Sequence, residues 1–431
     1  MEKVKVIVIG AGGRGKAYTD IMAEYPDKFE VVGVAEPIED RREYIRKKHG
    51  VSEDKCFDTW EKILDIPKFA DVAIISTMDR MHTEPAIKAI NLKYNLLLEK
   101  PAAPTPEECM QIKNAADENG VKVLVCHVLR YTNFYRNLKK LLDDGTIGEI
   151  MSINHTEGVG HIHQSHSFVR GNWGNSFESS VMLLQKSCHD LDLIQWLTGK
   201  NCKKIQSFGS LTHFTEENAP KGAPERCIDG CPYADSCGYN AVKLYYDDKE
   251  NMWFRCAATG KTEPTDDDVF EALKETQYGK CVYRCNNDVV DHQIVNMEFD
   301  DKMTVTFSMN AFDKGGRRTD IVGTKGSIYA TMEGEKAEIN LFCDKSSKTV
   351  SLSEIAHGES IVYGHGGGDG GIILDLYDYI TGKIGGEKLS EIGISAKNHL
   401  LVFAAEESRL NNTVVDIDTF NKKYIGFSAS K

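Results

Sequence analysis

The sequence contains no apolar run approaching the roughly 18 residues that a membrane-spanning helix needs, and its first strand-like run already begins at Val4, too early for a secretion signal to precede it. A cytoplasmic protein without a membrane partner is expected. Positive charge is also in short supply: 52 lysines and arginines face 65 aspartates and glutamates, a formal charge of −13. Nucleic acids and anionic lipid surfaces are bound largely through cationic excess, so both are set aside as main partners and a small molecule is left. The twelve cysteines are spread along a chain with no export signal and are expected to be reduced thiols. Disorder and fibrous architectures are excluded as well, because 41% of the residues are hydrophobic and 27% charged. At 431 residues the chain outgrows the roughly 250 to 300 at which one hydrophobic core stops growing, which implies two domains.

What is present starts at the amino-terminal end. "VKVIVIGAGGRGKAYTDIMAEY" sets a β-branched run directly before Gly10, Gly12 and Gly15, with Gly13 and Arg14 inside the same turn, and a helical pattern follows. Such glycines allow a tight turn and close backbone approach to a pyrophosphate, whose charge is met by the amides and dipole of the next helix. The strand "FEVVGVAE" then ends in Glu36, 21 residues after Gly15, near the spacing of about 20 at which a carboxylate meets an adenosine ribose. Glu36 would accept from the ribose hydroxyls and repel a 2′-phosphate, which favours NAD over NADP; Arg41 and Arg42 follow closely enough to weaken that preference. Further strands at "DVAIIS", "NLLL" and "VKVLVC" alternate with helical patterns. Together they predict an α/β domain over residues 1–126 with a doubly wound parallel sheet, whose strand ends carry Ser76, Thr77, Glu99 and Lys100 to the cofactor.

From residue 127 to 431 the pattern changes to α+β. "HQIVNMEFDDKMTVTFSMN" alternates Val295, Met297 and Phe299 on one side, turns at 300–302, and alternates back through Met303, Val305, Phe307 and Met309, an antiparallel hairpin. Strands at "TDIVG", "GSIYA", "AEINLFC" and "KTVSL" extend a large open sheet. "LLQKSCHDLDLIQWL" reads as one buried helix over 183–197, yet Gln185, Lys186, His189 and Asp190 gather on one side of it, with Asp192 nearby. Polar groups in a stripe on an apolar helix suit a wet cleft rather than an oily core.

The order of "VIVIGAGGRG", "STMDRMH" with His82, "LLLEKPAA" with Glu99, Lys100 and Pro101, "HVLRY" with Arg130 and Tyr131, "LKKLLDDGTIGEI", "HDLD" and "AAEESRLNNTVVDID" resembles the glucose-fructose oxidoreductase and inositol dehydrogenase family, Gfo/Idh/MocA, over nearly the whole chain. The resemblance implies an NAD-binding domain whose cofactor contacts include Gly13, Arg14 and His82, and a second domain whose open sheet closes over the nicotinamide and serves as a subunit contact in a homodimer or homotetramer. It implies that Lys100 lies beside the nicotinamide and the reacting hydroxyl, where its cation polarises a developing oxyanion. It also implies that His189, an imidazole with an ordinary pKa of about 6.5, removes the hydroxyl proton, with Arg130, Tyr131 and Asp190 near the substrate. The chain departs from the inositol dehydrogenase pattern at Gln185, where that pattern has an aspartate. Glutamine takes no proton, so any acid–base pair must involve Lys186, Asp190, Asp192 or another group; Lys186 either serves as that second proton-transfer group or binds an anionic or polar substituent.

Two glycine-rich loops suit a carbohydrate. "GVGHIHQSHSFVRGNW" offers His163, Arg170, Asn172 and Trp173 as donors, acceptors and an aromatic plane, and "YGHGGGDGG", 363–371, carries His365 and Asp369. His161, His163 and His166 lack a nearby carboxylate or cysteine, and no metal site is assigned. In a cysteine-rich insertion near 215–285, where little apolar core is evident, Cys227, Cys231, Cys237, Cys281 and Cys285 either staple zinc or lie as buried thiols. The leading expectation is an NAD-dependent oxidoreductase acting on a hydroxyl of a sugar, glycoside or cyclitol. A redox glycosidase that keeps its NAD through oxidation, elimination, hydration and reduction is the alternative, and a dinucleotide-binding protein without turnover the third reading.

Overall fold

The computed structural model describes residues 3–353 and 365–424. Its first layer is a six-stranded sheet of β1 (Val4–Ile9), β2 (Phe29–Ala35), β3 (Cys56–Phe57), β4 (Val72–Ile75), β5 (Asn95–Leu98) and β6 (Val123–Val125), in the order β3-β2-β1-β4-β5-β6 and parallel throughout. Helices cover both faces, which is why β1 and β4 are buried along almost every residue instead of alternating. Strand order reverses between β1 and β4, and the crevice at their carboxyl ends is where such sheets bind ligands.

The second sheet has nine strands: β7 (Ile150–Gly158), β8 (Cys202–Ser210), β9 (His292–Phe299), β10 (Thr304–Asn310), β11 (Gly316–Gly323), β12 (Gly326–Thr331), β13 (Lys336–Leu341), β14 (Ser347–Ser351) and β15 (Val415–Asp416). Their order is β14-β13-β12-β11-β7-β10-β9-β8-β15. It is antiparallel except that β7 runs parallel to β10, with Ser152 opposite Thr304 and Gly158 opposite Asn310. The hairpin forms in the expected register, Val295 facing Phe307 and Met297 facing Val305. These four side chains join Ile153, Leu191, Leu401 and others in a core between the sheet and the helices Cys188–Thr198 and Ile392–Asn411.

Three features depart from the pattern in the sequence. The expected continuous helix over 183–197 is two, Met182–Gln185 and Cys188–Thr198, with a break at Lys186 and Ser187. At the break the Gln185 carbonyl accepts the Lys100 ammonium at 2.7 Å, while the amides of Asp190 and Leu191 restart the helix on the Ser187 carbonyl. Second, the insertion does have a core of its own: Tyr245, Phe254, Ala258, Val269 and Leu273 pack together, and the His166 ring stacks on Phe254 at 3.9 Å. Its apolar positions lie on the helices Met252–Thr259 and Asp266–Glu275 and on the segment Val242–Asp247, diluted in sequence by polar loops. Cys227, Cys231, Cys237, Cys281 and Cys285 are free thiols, as is Cys256 in the same insertion, and among the described residues no group of three or more His, Cys, Asp and Glu side chains is arranged to hold a metal. Third, the helix Gly368–Ile380 returns to the first sheet, where Ile372, Ile373, Leu376 and Tyr377 join Val4, Val6 and Val8. Tyr363 and Gly364 of the second glycine loop lie outside the described residues.

Candidate functional site

The turn after β1 is shaped by contacts that only glycine permits. Gly10 has φ +90°, and a Cβ there would meet the Ser76 carbonyl oxygen at 2.6 Å; a Cβ at Gly15 would meet the Gly10 carbonyl oxygen at 2.1 Å. Ser76 Oγ donates to that same Gly10 carbonyl at 2.7 Å, locking the turn to the end of β4. Gly12 and Gly13 behave differently. A Cβ at Gly12 meets only Arg41 Nη1, at 3.7 Å, and one at Gly13 meets nothing within 4 Å. The helix Gly13–Ala23 therefore opens on free space with no side-chain cap on its first amides, as a bound pyrophosphate requires. Glu36 is buried at the end of β2, its carboxylate accepting the amides of Ala11 at 2.7 Å and Ile38 at 3.0 Å. Open cradle, bare helix start and ribose-side carboxylate together fit a dinucleotide.

Across the crevice, Lys100 follows β5 and reaches the break in the second domain's helix pair. One turn further on stands His189, 7% exposed, with its Nδ1 unpartnered. Burial, and then the charges of Lys100, His127 and Arg317, push the His189 pKa well below its ordinary value, so the imidazole is neutral at neutral pH and its Nδ1 is without a hydrogen-bond partner among the described residues. Lys100 Nζ also lies 5.9 Å from the centre of the Trp173 ring. Lys186 Nζ turns toward the end of β7, 3.0 Å from Glu157. His163 packs edge-on to Trp253, and burial followed by Lys186, His166 and Lys100 depresses its pKa to about 2.

Two protein-family models match this chain: residues 4–127 fit the oxidoreductase family with an NAD-binding Rossmann fold, and residues 135–329 fit the GFO/IDH/MocA C-terminal domain. The chain belongs to the Gfo/Idh/MocA family. Within curated proteins it is 25% identical over 375 residues to a Bacillus subtilis (strain 168) protein given the provisional name oxidoreductase YteT, spanning 84% of this chain and 85% of that one. It is 33% identical over 147 residues to 2,7-anhydro-N-acetylneuraminate hydratase of Escherichia coli (strain K12), covering 34% of this chain and only 38% of that relative's length. Among solved structures, levoglucosan dehydrogenase in complex with NADH and levoglucosan superposes with a TM-score of 0.68 at 19% identity, covering 96% of this chain and all of that one. The last likeness is one of fold.

On this Gfo/Idh/MocA framework the residues singled out from sequence fall into three groups. Lys100, Lys186, His189, His163 and Trp173 gather about the helix break. Gly10, Gly12, Gly13, Gly15, Glu36 and Ser76 line the turn and ribose edge, with Thr77 beside them, its hydroxyl bonded to the Met81 carbonyl at 2.9 Å. The third group is held in internal bonds. Arg14 pairs with Glu99 at 2.8 Å and with Asp369 at 2.6 Å, and His365 Nδ1 lies 3.1 Å from Asp369, so these four tie the glycine turn to the second glycine loop. His82 is buried between the carbonyls of Pro101 and Thr77. Arg130 is buried against Asp192, and the Tyr131 hydroxyl bonds Ser390 at 2.7 Å. Arg170 is fully buried and donates to the carbonyls of Lys280 and Tyr239, anchoring the insertion. Asn172 is exposed beside Met78.

Asp190 is fully buried too, clamped by Arg317 Nε at 2.7 Å and His155 Nε2 at 2.9 Å. Burial alone would raise its pKa, but Arg317 and then His155 bring it down to about 2. Its partners were not singled out from sequence, although a signal exists. In β7 the buried positions Ile153, His155 and Glu157 alternate, and register sets Thr319 opposite His155 and Arg317 opposite Glu157. Polar residues at inward-facing strand positions mark a polar floor beneath the site. His127 was likewise passed over; its ring meets His189 edge-on at 5.7 Å and His399 at 5.4 Å.

Proposed function

We propose that the protein is an NAD-dependent oxidoreductase acting on a secondary hydroxyl of a sugar, glycoside or cyclitol. The observation that carries this reading is the convergence of Lys100, from the end of a strand of the first sheet, with neutral His189, from the second domain, at one helix break. The dinucleotide, when bound, supplies the hydride acceptor. His189 takes the hydroxyl proton as the carbonyl forms. The ammonium of Lys100 holds the oxygen as charge builds on it, fixed in advance by its bond to the Gln185 carbonyl, so that no reorganisation is needed during reaction. Trp173 offers an aromatic face next to that ammonium. Gln185 donates to the Ser180 carbonyl at 2.6 Å and acts as a strut, not a base. NAD rather than NADP is supported by Glu36 and by the two nearby arginines being spent elsewhere, Arg41 on the Gly260 carbonyl and Arg42 on the Glu36 carbonyl.

The test is NADH formation with a panel of pyranosides and cyclitols. Wild type should turn over at least one, and Lys100→Met and His189→Ala should each lower kcat/KM by at least about a hundredfold, the scale of one general base or one oxyanion contact, while leaving NAD affinity within threefold. Full activity in both variants would overturn the assignment.

A second reading, redox-neutral cleavage or hydration with NAD retained, is favoured by one feature. The insertion loop clasps the adenosine side of the first domain: Thr262 donates through its amide and hydroxyl to Asp40 at 2.8 and 2.7 Å, next to the Arg41–Gly260 bond. Such a clasp slows cofactor exchange. Product release from glycosides or anhydrosugars without net NADH would distinguish it.

A further inference from the structure

The site presents cations and hides its carboxylates. Lys186 pairs with Glu157, and Arg317 pairs with both Glu157 and Asp190, at 3.0, 2.9 and 2.7 Å. The exposures are unequal: the Lys186 and Arg317 side chains are 18% and 11% exposed, against 2% for Glu157 and 0% for Asp190. Each carboxylate is thus less exposed than its cation, Glu157 on β7 and Asp190 on the helix Cys188–Thr198, and the accessible atoms of these pairs are mainly those of the ammonium and guanidinium. The two cations are matched by these two carboxylates, so what they offer a ligand is not net charge but unused N–H donors. Among the described residues Arg317 Nη1 has no acceptor, and Lys186 has one ion-pair partner for three N–H groups. Unused donors on a partly buried ammonium and guanidinium are best met by a charged acceptor. A neutral sugar hydroxyl accepts from such groups only weakly compared with an anion.

We infer that Lys186 and Arg317 form a carboxylate subsite, so that the substrate is a sugar acid, a pyranose carrying a carboxylate, rather than a neutral sugar. The inference rests on the oxidoreductase reading above for the identity of the ring and reacting hydroxyl, but the subsite is a property of these two cations alone. Lys186 on the helix break and Arg317 at the start of β11 come from different elements and meet at Glu157, so a planar carboxylate would be gripped from two sides while the ring extends toward Lys100 and His189. Glu157 and Asp190 hold the cations in place.

Binding measures this independently of turnover. The NAD-loaded full-length protein is titrated calorimetrically with D-glucuronate, D-galacturonate and D-mannuronate, each against its primary amide, which keeps shape and removes charge. At least one acid is expected to bind ten or more times more tightly than its amide. Lys186→Met should erase that ratio while leaving amide affinity within about twofold; Lys186→Arg should keep it, which guards against a merely misfolded variant, as does an unchanged Tm. Glu157→Gln, which removes a competing carboxylate, should raise acid affinity. Equal binding of acid and amide, or no binding of any acid, overturns the subsite. An acid preference without NADH formation on any sugar would instead sink the dehydrogenase reading and leave the subsite standing, whereas turnover of neutral sugars with no acid preference would do the reverse.

Discussion

Two glycines in the same turn are expected to fail in opposite ways. At Gly15 a methyl group would lie 2.8 Å from Ser76 Oγ and 2.1 Å from the Gly10 carbonyl oxygen, the latter more than 1 Å inside ordinary contact and on backbone that cannot rotate away. The helix Gly13–Ala23 must therefore move off β1, and the Ser76–Gly10 hydrogen bond at 2.7 Å is strained or lost. Overpacking of this kind costs about 1–3 kcal/mol and the bond about 1 kcal/mol more, so Gly15→Ala should lose about 2–4 kcal/mol and several degrees of Tm. Gly12 has φ −68° and ψ −164°, a conformation open to any residue, and its methyl would touch only Arg41 at 3.7 Å. Gly12→Ala should keep its Tm within about 1 °C, as a substitution without a clash does, yet lose at least about tenfold in NAD affinity because the methyl fills the pyrophosphate approach. Thermal unfolding without ligand, followed by fluorescence titration with NAD, separates the two. Wild-type NAD affinity in Gly12→Ala, or an unshifted Tm in Gly15→Ala, would refute the assignment of the turn.

Removing Asp192 leaves the Arg130 guanidinium, 4% exposed, without its bidentate partner; Asp192→Ala should cost about 3–5 kcal/mol, read by chemical denaturation, and a loss under 1 kcal/mol would show the pair relaxes into water. Burial lowers His127 to about 3, His166 to about 3 and His399 to about 4. Because unfolded histidines titrate near 6.5, the unfolded chain binds more protons between those values, so stability should be complete above about pH 7 and fall as pH drops below 6.5, by about 1.4 kcal/mol per pH unit for each such histidine. A Tm that holds constant from pH 7 to 5 would contradict this burial. Asp40→Ala with Thr262→Val should open the clasp and speed NAD release at least fivefold in stopped-flow chase experiments, leaving Tm nearly unchanged because the bonds that are lost are solvent-exposed.

The parts of the molecule that could be read from sequence are those whose interactions are local. The strand, glycine turn, helix and following Glu36 lie within a few dozen residues, and the tightest of the glycine contacts, Gly15 on the Gly10 carbonyl, is made inside that same turn. The hairpin 292–310 was legible for the same reason: alternation fixes which side is buried, and a short turn fixes register. The insertion was misjudged because average hydrophobicity hides a few apolar positions that meet across two helices and a loop.

Charge pairing was the larger blind spot. Periodicity could place Asp190 and Lys186 on a polar stripe, but not the Arg317 and Glu157 that hold them, nor the Arg130 that takes Asp192 from 62 residues away. The helix break at Lys186 follows equally from a distant cause, since Lys100, 85 residues earlier, claims the Gln185 carbonyl. The sequence alone determined the class of fold and the chemistry on offer, because backbone geometry and patterning are set by neighbours along the chain. Which charges stay free to meet a ligand was decided only by the tertiary structure, because Coulomb and hydrogen-bond partners are chosen by proximity in space, and that proximity is created by the meeting of two sheets.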